Sequence, residues 1–126
     1  KEDSLLPAIY LTQKLDIAVV GIGYPNEKSA IMATGYFKEN EIESLIDRKV
    51  AGELCMQFYD IYGDTAPYKD DNNVIGMDIS MLRSVPRSIG IAGGVEKLRA
   101  VRGAINGHYI NTLITDIECA EALISE

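Results

Sequence analysis

Short, continuously apolar segments alternate along this chain with segments whose apolar residues recur at helical spacing. Residues 17–22 and 88–92 are rich in isoleucine, valine and alanine and are bordered by glycine. This composition is typical of strands buried on both faces of a sheet. Weaker patterns predict further strands at residues 53–62, 74–79 and 109–114.

Helical spacing fills the intervals between these strands. Helices are predicted from near Leu6 to Leu15 and at residues 40–49, 95–104 and 116–124, with single helical turns at 29–34 and 80–83. Asn40 is the predicted cap of the second helix, and Thr115 or Asp116 caps the last. The Asn106-Gly107 pair is expected to end the third helix, because both residues tolerate left-handed backbone.

This alternation of strands and helices predicts an α/β fold, with a mainly parallel sheet flanked by helices. At 126 residues, 47% of them hydrophobic and 25% charged, the chain is long and apolar enough for one globular domain. It carries no repeat, low-complexity tract or long linker. The first residue is a lysine and the opening reads like the inside of a helix, so we expect a piece of a larger protein.

Charge and cysteine content narrow the classes of function. The net charge of −7, from 12 basic and 19 acidic residues, argues against binding nucleic acid through the overall field of the chain. Cys55 and Cys119 lack the spacing of a disulfide framework or a zinc site, which favours a reducing cytoplasm and predicts no metal or other cofactor. The apolar runs are too short to span a bilayer, so no membrane partner is expected.

The strongest local motif is the segment IGIAGGVEK at residues 89–97, where a predicted strand runs into a helix. Ligands bind open parallel sheets at the carboxyl ends of strands, glycines let the backbone approach a phosphate, and a first-turn lysine adds charge. Gly93, Gly94 and Lys97 therefore form a candidate anion site. The alternative is an ordinary tight turn with a solvated lysine.

Four other residues carry weaker signals. Gly21 and Gly23 follow a buried strand and place a second glycine turn at the same end of the sheet, although close packing would also explain them. Glu53 begins a predicted strand, where its carboxylate would accept hydrogen bonds from sugar hydroxyls or would simply be solvated. His108 is the single histidine, and no arrangement typical of hydrolytic catalysis accompanies it.

The order of these motifs resembles the SorC family of bacterial transcriptional regulators of sugar metabolism. The motifs are LDIAVVGIG at 15–23, GE at 52–53, FYD at 58–60, VIGM at 74–77, VPRSIGIAGGVEK at 85–97 and INTLITD at 110–116. The resemblance covers nearly the whole chain. An ordered set of this kind is far more specific than any one motif.

The resemblance implies an amino-terminal helix-turn-helix that binds operator DNA and a larger domain that binds a sugar or sugar phosphate. Residues 1–126 would be the carboxyl-terminal part of that effector domain, without the DNA-binding part. Its fold would be similar to the Rossmann-type, three-layer fold of glucosamine-phosphate deaminases, ribose-phosphate isomerases and coenzyme A transferases.

The resemblance also implies roles for the candidate residues. Gly93, Gly94 and Lys97 would lie by an effector phosphate and Glu53 by sugar hydroxyls. Gly21 and Gly23 would shape the adjacent turn. The effector would act by shifting a homo-oligomer between arrangements that hold DNA differently. A phosphosugar isomerase or deaminase and a purely structural oligomerisation unit are the alternatives.

Overall fold

The computed structural model describes residues 3–26, 34–35, 37–72 and 78–125. In these ranges five strands form one sheet: β1 (Ile17–Gly23), β2 (Gly52–Leu54), β3 (Gln57–Tyr59), β4 (Arg87–Ala92) and β5 (Thr112–Thr115). Their order across the sheet is β3-β2-β1-β4-β5. The helical turn predicted at 29–34 and the strand predicted at 74–79 fall mostly outside the described residues.

Helices occupy most of the predicted intervals. The α-helices of the described residues are α1 (Leu6–Thr12), α2 (Glu39–Asp47), α3 (Leu98–Asn106) and α4 (Ile117–Ile124). Short 3-10 helices lie at Asp3–Leu5, Ala66–Tyr68, Ile79–Ser84 and Val95–Lys97. Among the described residues, no helix has the length and apolar character needed to cross a membrane.

The sheet is mixed, so the prediction of a mainly parallel sheet holds for only part of it. β1 pairs with β4, and β4 with β5, in parallel. The single strand predicted at 53–62 is wrong, because β2 and β3 form an antiparallel hairpin beside β1. Cys55 and Met56 make its two-residue turn with φ of 51° and 62°. Such left-handed turns usually carry asparagine or glycine, so this one leaves no signal in the sequence.

Of the helix caps predicted for α4 and α2, the one for α4 is confirmed and the one for α2 is wrong. Asp116 caps α4 as predicted, because its Oδ1 accepts a hydrogen bond from the backbone N–H of Cys119 at 2.8 Å. Asn40 is not the cap of α2, since it lies inside the helix. The cap is Lys38, whose backbone N–H donates to the Glu41 carboxylate at 2.6 Å. The Glu41 side chain in the first turn, and not Asn40, therefore accepts a backbone N–H at the start of the helix.

The end of α3 also differs from the prediction in one residue. Gly107 has ordinary right-handed backbone, and His108 adopts the left-handed conformation, with φ of 58°. The N–H of Tyr109 returns to the carbonyl of Ala104 at 3.0 Å, which closes the helix. The last strand therefore starts at Thr112 instead of residue 109.

The main core lies between one face of the sheet and α3. Tyr59 is fully buried there, and its hydroxyl donates to the carbonyl of Ala100 at 2.8 Å. Gly52 and Gly103 make room for the Tyr59 ring, because a Cβ on either would lie within 2.7 Å of its atoms. A second core beside α2 contains Ile42, Leu45, Val50, Phe58 and Tyr68.

The opposite face of the three parallel strands is uncovered in this chain. Val19 is 61% exposed, whereas its neighbour Val20 is 9% exposed. Ile91 pairs with Gly21 on one side and Ile114 on the other, which makes the apolar surface continuous. We call the surface of Ile17, Val19, Ile91 and Ile114 the open face. The prediction that the strands are buried on both faces is thus wrong for the chain by itself.

Candidate functional site

The carboxyl ends of the parallel strands meet at one edge of the sheet, which we call the carboxyl edge. Gly21 pairs with Ile91, and Ile91 with Ile114, so the chain leaves β1, β4 and β5 on the same side. Gly23 ends β1, and Gly93 and Gly94 directly follow β4. Gly23 and the Gly93-Gly94 turn therefore lie at one edge, where ligands bind α/β sheets. The second glycine turn predicted at Gly21 and Gly23 is wrong, because both residues lie within β1.

Glu53 lies against the end of β1 because Gly23 has no side chain. The two residues are paired across the antiparallel ladder. A Cβ on Gly23 would overlap the Glu53 carboxyl group, whose Cδ would be 2.9 Å away. Glu53 Oε2 accepts a hydrogen bond from the N–H of Met56 at 2.9 Å, so the hairpin turn fixes the carboxylate. Glu53 is thus a positioned carboxylate rather than a freely solvated one.

Lys97 lies close enough to Glu53 for its charge to act on the carboxyl group. Desolvation by burial raises the pKa of Glu53, while the Met56 hydrogen bond and the charge of Lys97 oppose that rise. Lys97 ends the 3-10 turn Val95–Lys97 and is partly exposed. A carboxylate and an ammonium group at one edge offer an acceptor for hydroxyls beside a donor for an anion.

The raised pKa of Glu53 gives a prediction for stability against pH. Above the raised pKa the folded chain holds a poorly solvated carboxylate, so the free energy of unfolding falls as pH rises through it. Glu53→Gln removes the charge and keeps an acceptor for Met56. We expect a higher Tm than the original at about pH 7 and no difference at about pH 3, well below the ordinary value of 4.5, where both states are protonated.

Thermal unfolding followed by circular dichroism at the two pH values measures this effect. Glu43→Gln, on an exposed position of α2, is the matched control for the loss of one charge. A gain in Tm that is the same at both pH values would assign it to packing and contradict the prediction.

The Gly93-Gly94 turn is held by a carboxylate from the next strand. The N–H of Gly94 donates to Asp116 Oδ2 at 2.6 Å. Gly94 has φ of 95°, a backbone conformation that favours glycine. The Asp116 carboxylate accepts N–H groups from Cys119 and Gly94, and both lower its pKa. The sequence predicts Asp116 only as a helix cap, because nothing local marks a partner 22 residues away.

Gly21 and His108 are the remaining candidates. A Cβ on Gly21 would meet no atom within 4 Å, so close packing does not explain this glycine, which lies on the open face. His108 follows the end of α3, whereas Lys97 precedes its start, and nine helical residues separate them by about 13 Å. The roles predicted for Gly93 and Gly94 in effector binding stay predictions, whereas Gly21 is not carried into the proposed site, because its missing side chain accommodates no neighbouring group.

A polar cavity of about 270 Å³ lies away from this edge. It is lined by Gln57, Asp64, Thr65, Ala66, Lys69, Asn72 and Asp78. Several of these side chains are engaged in the fold: Asn72 pairs with the backbone of Phe58, and Asp78 caps the turn Ile79–Ser84. None of the residues predicted for effector binding lines this cavity.

Comparison with known proteins identifies relatives along the whole chain. Residues 1–125 match the family described as "Putative sugar-binding domain". The chain is 38% identical over 110 residues to the sorbitol operon regulator of Klebsiella pneumoniae, covering 87% of this chain and 35% of that protein. It is 31% identical over 118 residues to the deoxyribonucleoside regulator of Bacillus subtilis, covering 94% of this chain and 37% of that protein.

A solved structure agrees with the sequence match. The crystal structure of the full-length sorbitol operon regulator SorC from Klebsiella pneumoniae superposes with a TM-score of 0.82 at 34% identity, covering 98% of this chain and 40% of that one. The chain therefore spans 35 to 40% of the length of these two relatives. The chain belongs to the sugar-binding domain family of SorC-type transcriptional regulators.

Proposed function

We propose that this chain is the effector-sensing part of a DNA-binding transcriptional regulator of carbohydrate metabolism, and that it binds a sugar or sugar phosphate at the carboxyl edge. One observation carries the proposal: the Glu53 carboxylate is held beside Gly23 by the N–H of Met56, at the end of the sheet where ligands bind this class of fold, and the charge of Lys97 reaches it. The family match and the regulators among its relatives support it.

Each residue has a role in this proposal. Lys97 donates to an anionic group of the effector, and Glu53 accepts hydrogen bonds from its hydroxyls. Gly23 leaves room for Glu53, while Gly93 and Gly94 let the backbone approach the ligand. Residues 1–126 form the carboxyl-terminal part of one effector domain, and operator DNA is bound by another part of the protein.

The proposed mechanism is allosteric. A cytoplasmic homo-oligomer exists in arrangements that hold its DNA-binding parts at different spacings. An effector that binds one arrangement more tightly shifts the population by the difference in its affinities. The carboxyl edge would supply that difference through the contacts of Glu53 and Lys97.

A phosphosugar isomerase or deaminase of similar three-layer fold is the alternative, and it has less support. Such an enzyme needs a base and a group that opens the sugar ring near the end of β1. His108 lies at the far end of α3, about 13 Å along the helix from Lys97. The relatives described above are named as regulators. We therefore propose binding without turnover.

A panel of sugars and sugar phosphates tests the proposal by thermal shift and calorimetry on the full-length protein. A sugar phosphate should raise the Tm, and Lys97→Ala should weaken its binding about five- to tenfold. This corresponds to losing about 1 to 1.4 kcal/mol from one partly exposed charged hydrogen bond.

Lys69→Ala is the matched control, because it removes the same charge from the polar cavity instead of the carboxyl edge. Its affinity should equal that of the original protein. Binding that is unaffected by Lys97→Ala, or no response to any member of the panel, would contradict the proposed site.

A further inference from the structure

One carboxylate joins two elements at the carboxyl edge. Asp116 lies between β5 and α4, and its Oδ1 caps α4 by accepting the N–H of Cys119 at 2.8 Å. Its Oδ2 accepts the N–H of Gly94 at 2.6 Å. The exit from β4 and the start of α4 are therefore tied through a single side chain.

The tie continues along the backbone to Lys97. The N–H of Lys97 donates to the carbonyl of Gly94 at 3.1 Å and closes the 3-10 turn. The Lys97 backbone is thus bonded to Gly94, and Gly94 is bonded to Asp116. Asp116 also lies directly beneath Gly93, since a Cβ on that residue would be 3.4 Å from Oδ2.

A tether of this kind matters because the segment that it holds is intrinsically loose. Two successive glycines have access to far more backbone conformations than other residues, so the sequence alone does not fix the direction in which Lys97 leaves the sheet. A charged acceptor makes a shorter and stronger hydrogen bond to a backbone N–H than a neutral one. The Asp116 carboxylate supplies the restraint that the glycines lack.

We propose that Asp116 is a positioning residue of the effector site: it fixes the Gly93-Gly94 turn and thereby the place of Lys97 relative to Glu53, without contacting the effector. This inference rests on the proposed function for its consequence in binding. Its structural part concerns the ligand-free protein and is tested separately.

Asp116→Asn separates the two bonds of this side chain. Asparagine caps helices as well as aspartate does, so its Oδ1 retains the bond to Cys119. Its other terminal atom is an NH₂ group, which cannot accept the N–H of Gly94. Asp78→Asn is the matched control, because Asp78 also caps a helical turn, by accepting the N–H of Ser80 at 2.9 Å, and loses the same charge.

The ligand-free test measures the pKa of Glu53 by carbon NMR of labelled glutamate in the full-length protein. Lys97 lowers that pKa, so the loss of its position in Asp116→Asn should raise it. The removal of one negative charge from the neighbourhood would act in the opposite direction. A rise therefore supports the proposal, while a fall or no change overturns it. Asp78→Asn should leave the value unchanged.

The binding test is a double-mutant cycle with inorganic phosphate and hexose monophosphates as the probes. Asp116→Asn should weaken binding about three- to tenfold in the original protein and have no further effect in the Lys97→Ala protein. Equal weakening in both backgrounds would give Asp116 a role independent of Lys97. Tighter binding in Asp116→Asn would show that Asp116 competes with the effector for Gly94. Either result overturns the proposal.

The two proposals fail in different ways. If the original protein binds none of the probes, the proposed function is contradicted, while the Glu53 measurement still decides whether Asp116 positions Lys97. If the probes bind but Asp116→Asn does not alter the pKa of Glu53, only the positioning role is lost.

Discussion

Replacing Gly23 by alanine is expected to weaken effector binding about 30- to 150-fold, with a change of less than about 1 kcal/mol in the free energy of unfolding. The new Cβ would overlap the Glu53 carboxyl group, which must move away from the end of β1. The atoms that move belong to the end of a flexible side chain, so the fold tolerates the change. The proposed site loses a charged acceptor, and a hydrogen bond to a charged group is typically worth about 2 to 3 kcal/mol.

Calorimetry with the sugar phosphate that binds the original protein, together with urea unfolding, measures both quantities. Gly21→Ala is a closely matched control, because it makes the same substitution on the same strand at a position where a Cβ meets no atom within 4 Å. Its affinity should stay within about twofold of the original. A similar loss of affinity in both variants would assign the effect to the strand and contradict the role of Glu53.

Tyr59→Ala is expected to lower the free energy of unfolding by about 3 to 5 kcal/mol, the range for truncation of a large buried aromatic side chain. The ring is fully buried, and its hydroxyl is bonded to Ala100. It fills the space left by Gly52 and Gly103, and it lies 5.8 Å from the ring of Tyr109, centroid to centroid. These neighbours are rigid backbone and another buried ring, so collapse around the cavity is limited.

Equilibrium unfolding in urea measures the loss. Tyr10→Ala removes an equally large side chain from α1, where it is 55% exposed, and should change the free energy of unfolding by no more than about 0.5 kcal/mol. Tyr59→Phe isolates the hydroxyl and should cost about 1 to 2 kcal/mol, because the Ala100 carbonyl loses its partner. A Tyr59→Ala protein as stable as the Tyr10→Ala protein would contradict the packing described for α3.

The elements that the sequence predicted best are those whose signals are local. β1 and β4 were found because a β-branched run next to glycine distinguishes a central strand within a few residues. The hairpin of β2 and β3 was missed because Cys55 and Met56 carry none of the usual marks of a left-handed turn. The hairpin pairs with β1, which is distant in the sequence, and no local sequence pattern indicates that pairing.

The candidate site likewise has parts that local sequence patterns predict and one part that they do not. The placement of Gly23 and of the Gly93-Gly94 turn at one edge follows from the sheet rule, and Lys97 follows from its position in the first turn after those glycines. Glu53 was a weak candidate by itself, and the resemblance to a known family implied its role. The bond between Gly94 and Asp116 joins residues 22 positions apart, and its recognition needs the relative placement of two strands. The sequence therefore predicts Asp116 as the cap of α4 but does not predict its bond to Gly94.

The open face of β1, β4 and β5 has a thermodynamic consequence. Every second residue of β1, including Val19, Gly21 and Gly23, lies on the same side of the strand. The open face and the carboxyl edge therefore share β1. Any surface that covers Ile17, Val19, Ile91 and Ile114 binds the folded chain and not the unfolded one, and it stabilises the fold by mass action as a ligand does. Folding, the covering of this face and the proposed binding of an effector are therefore linked equilibria, because all three involve β1.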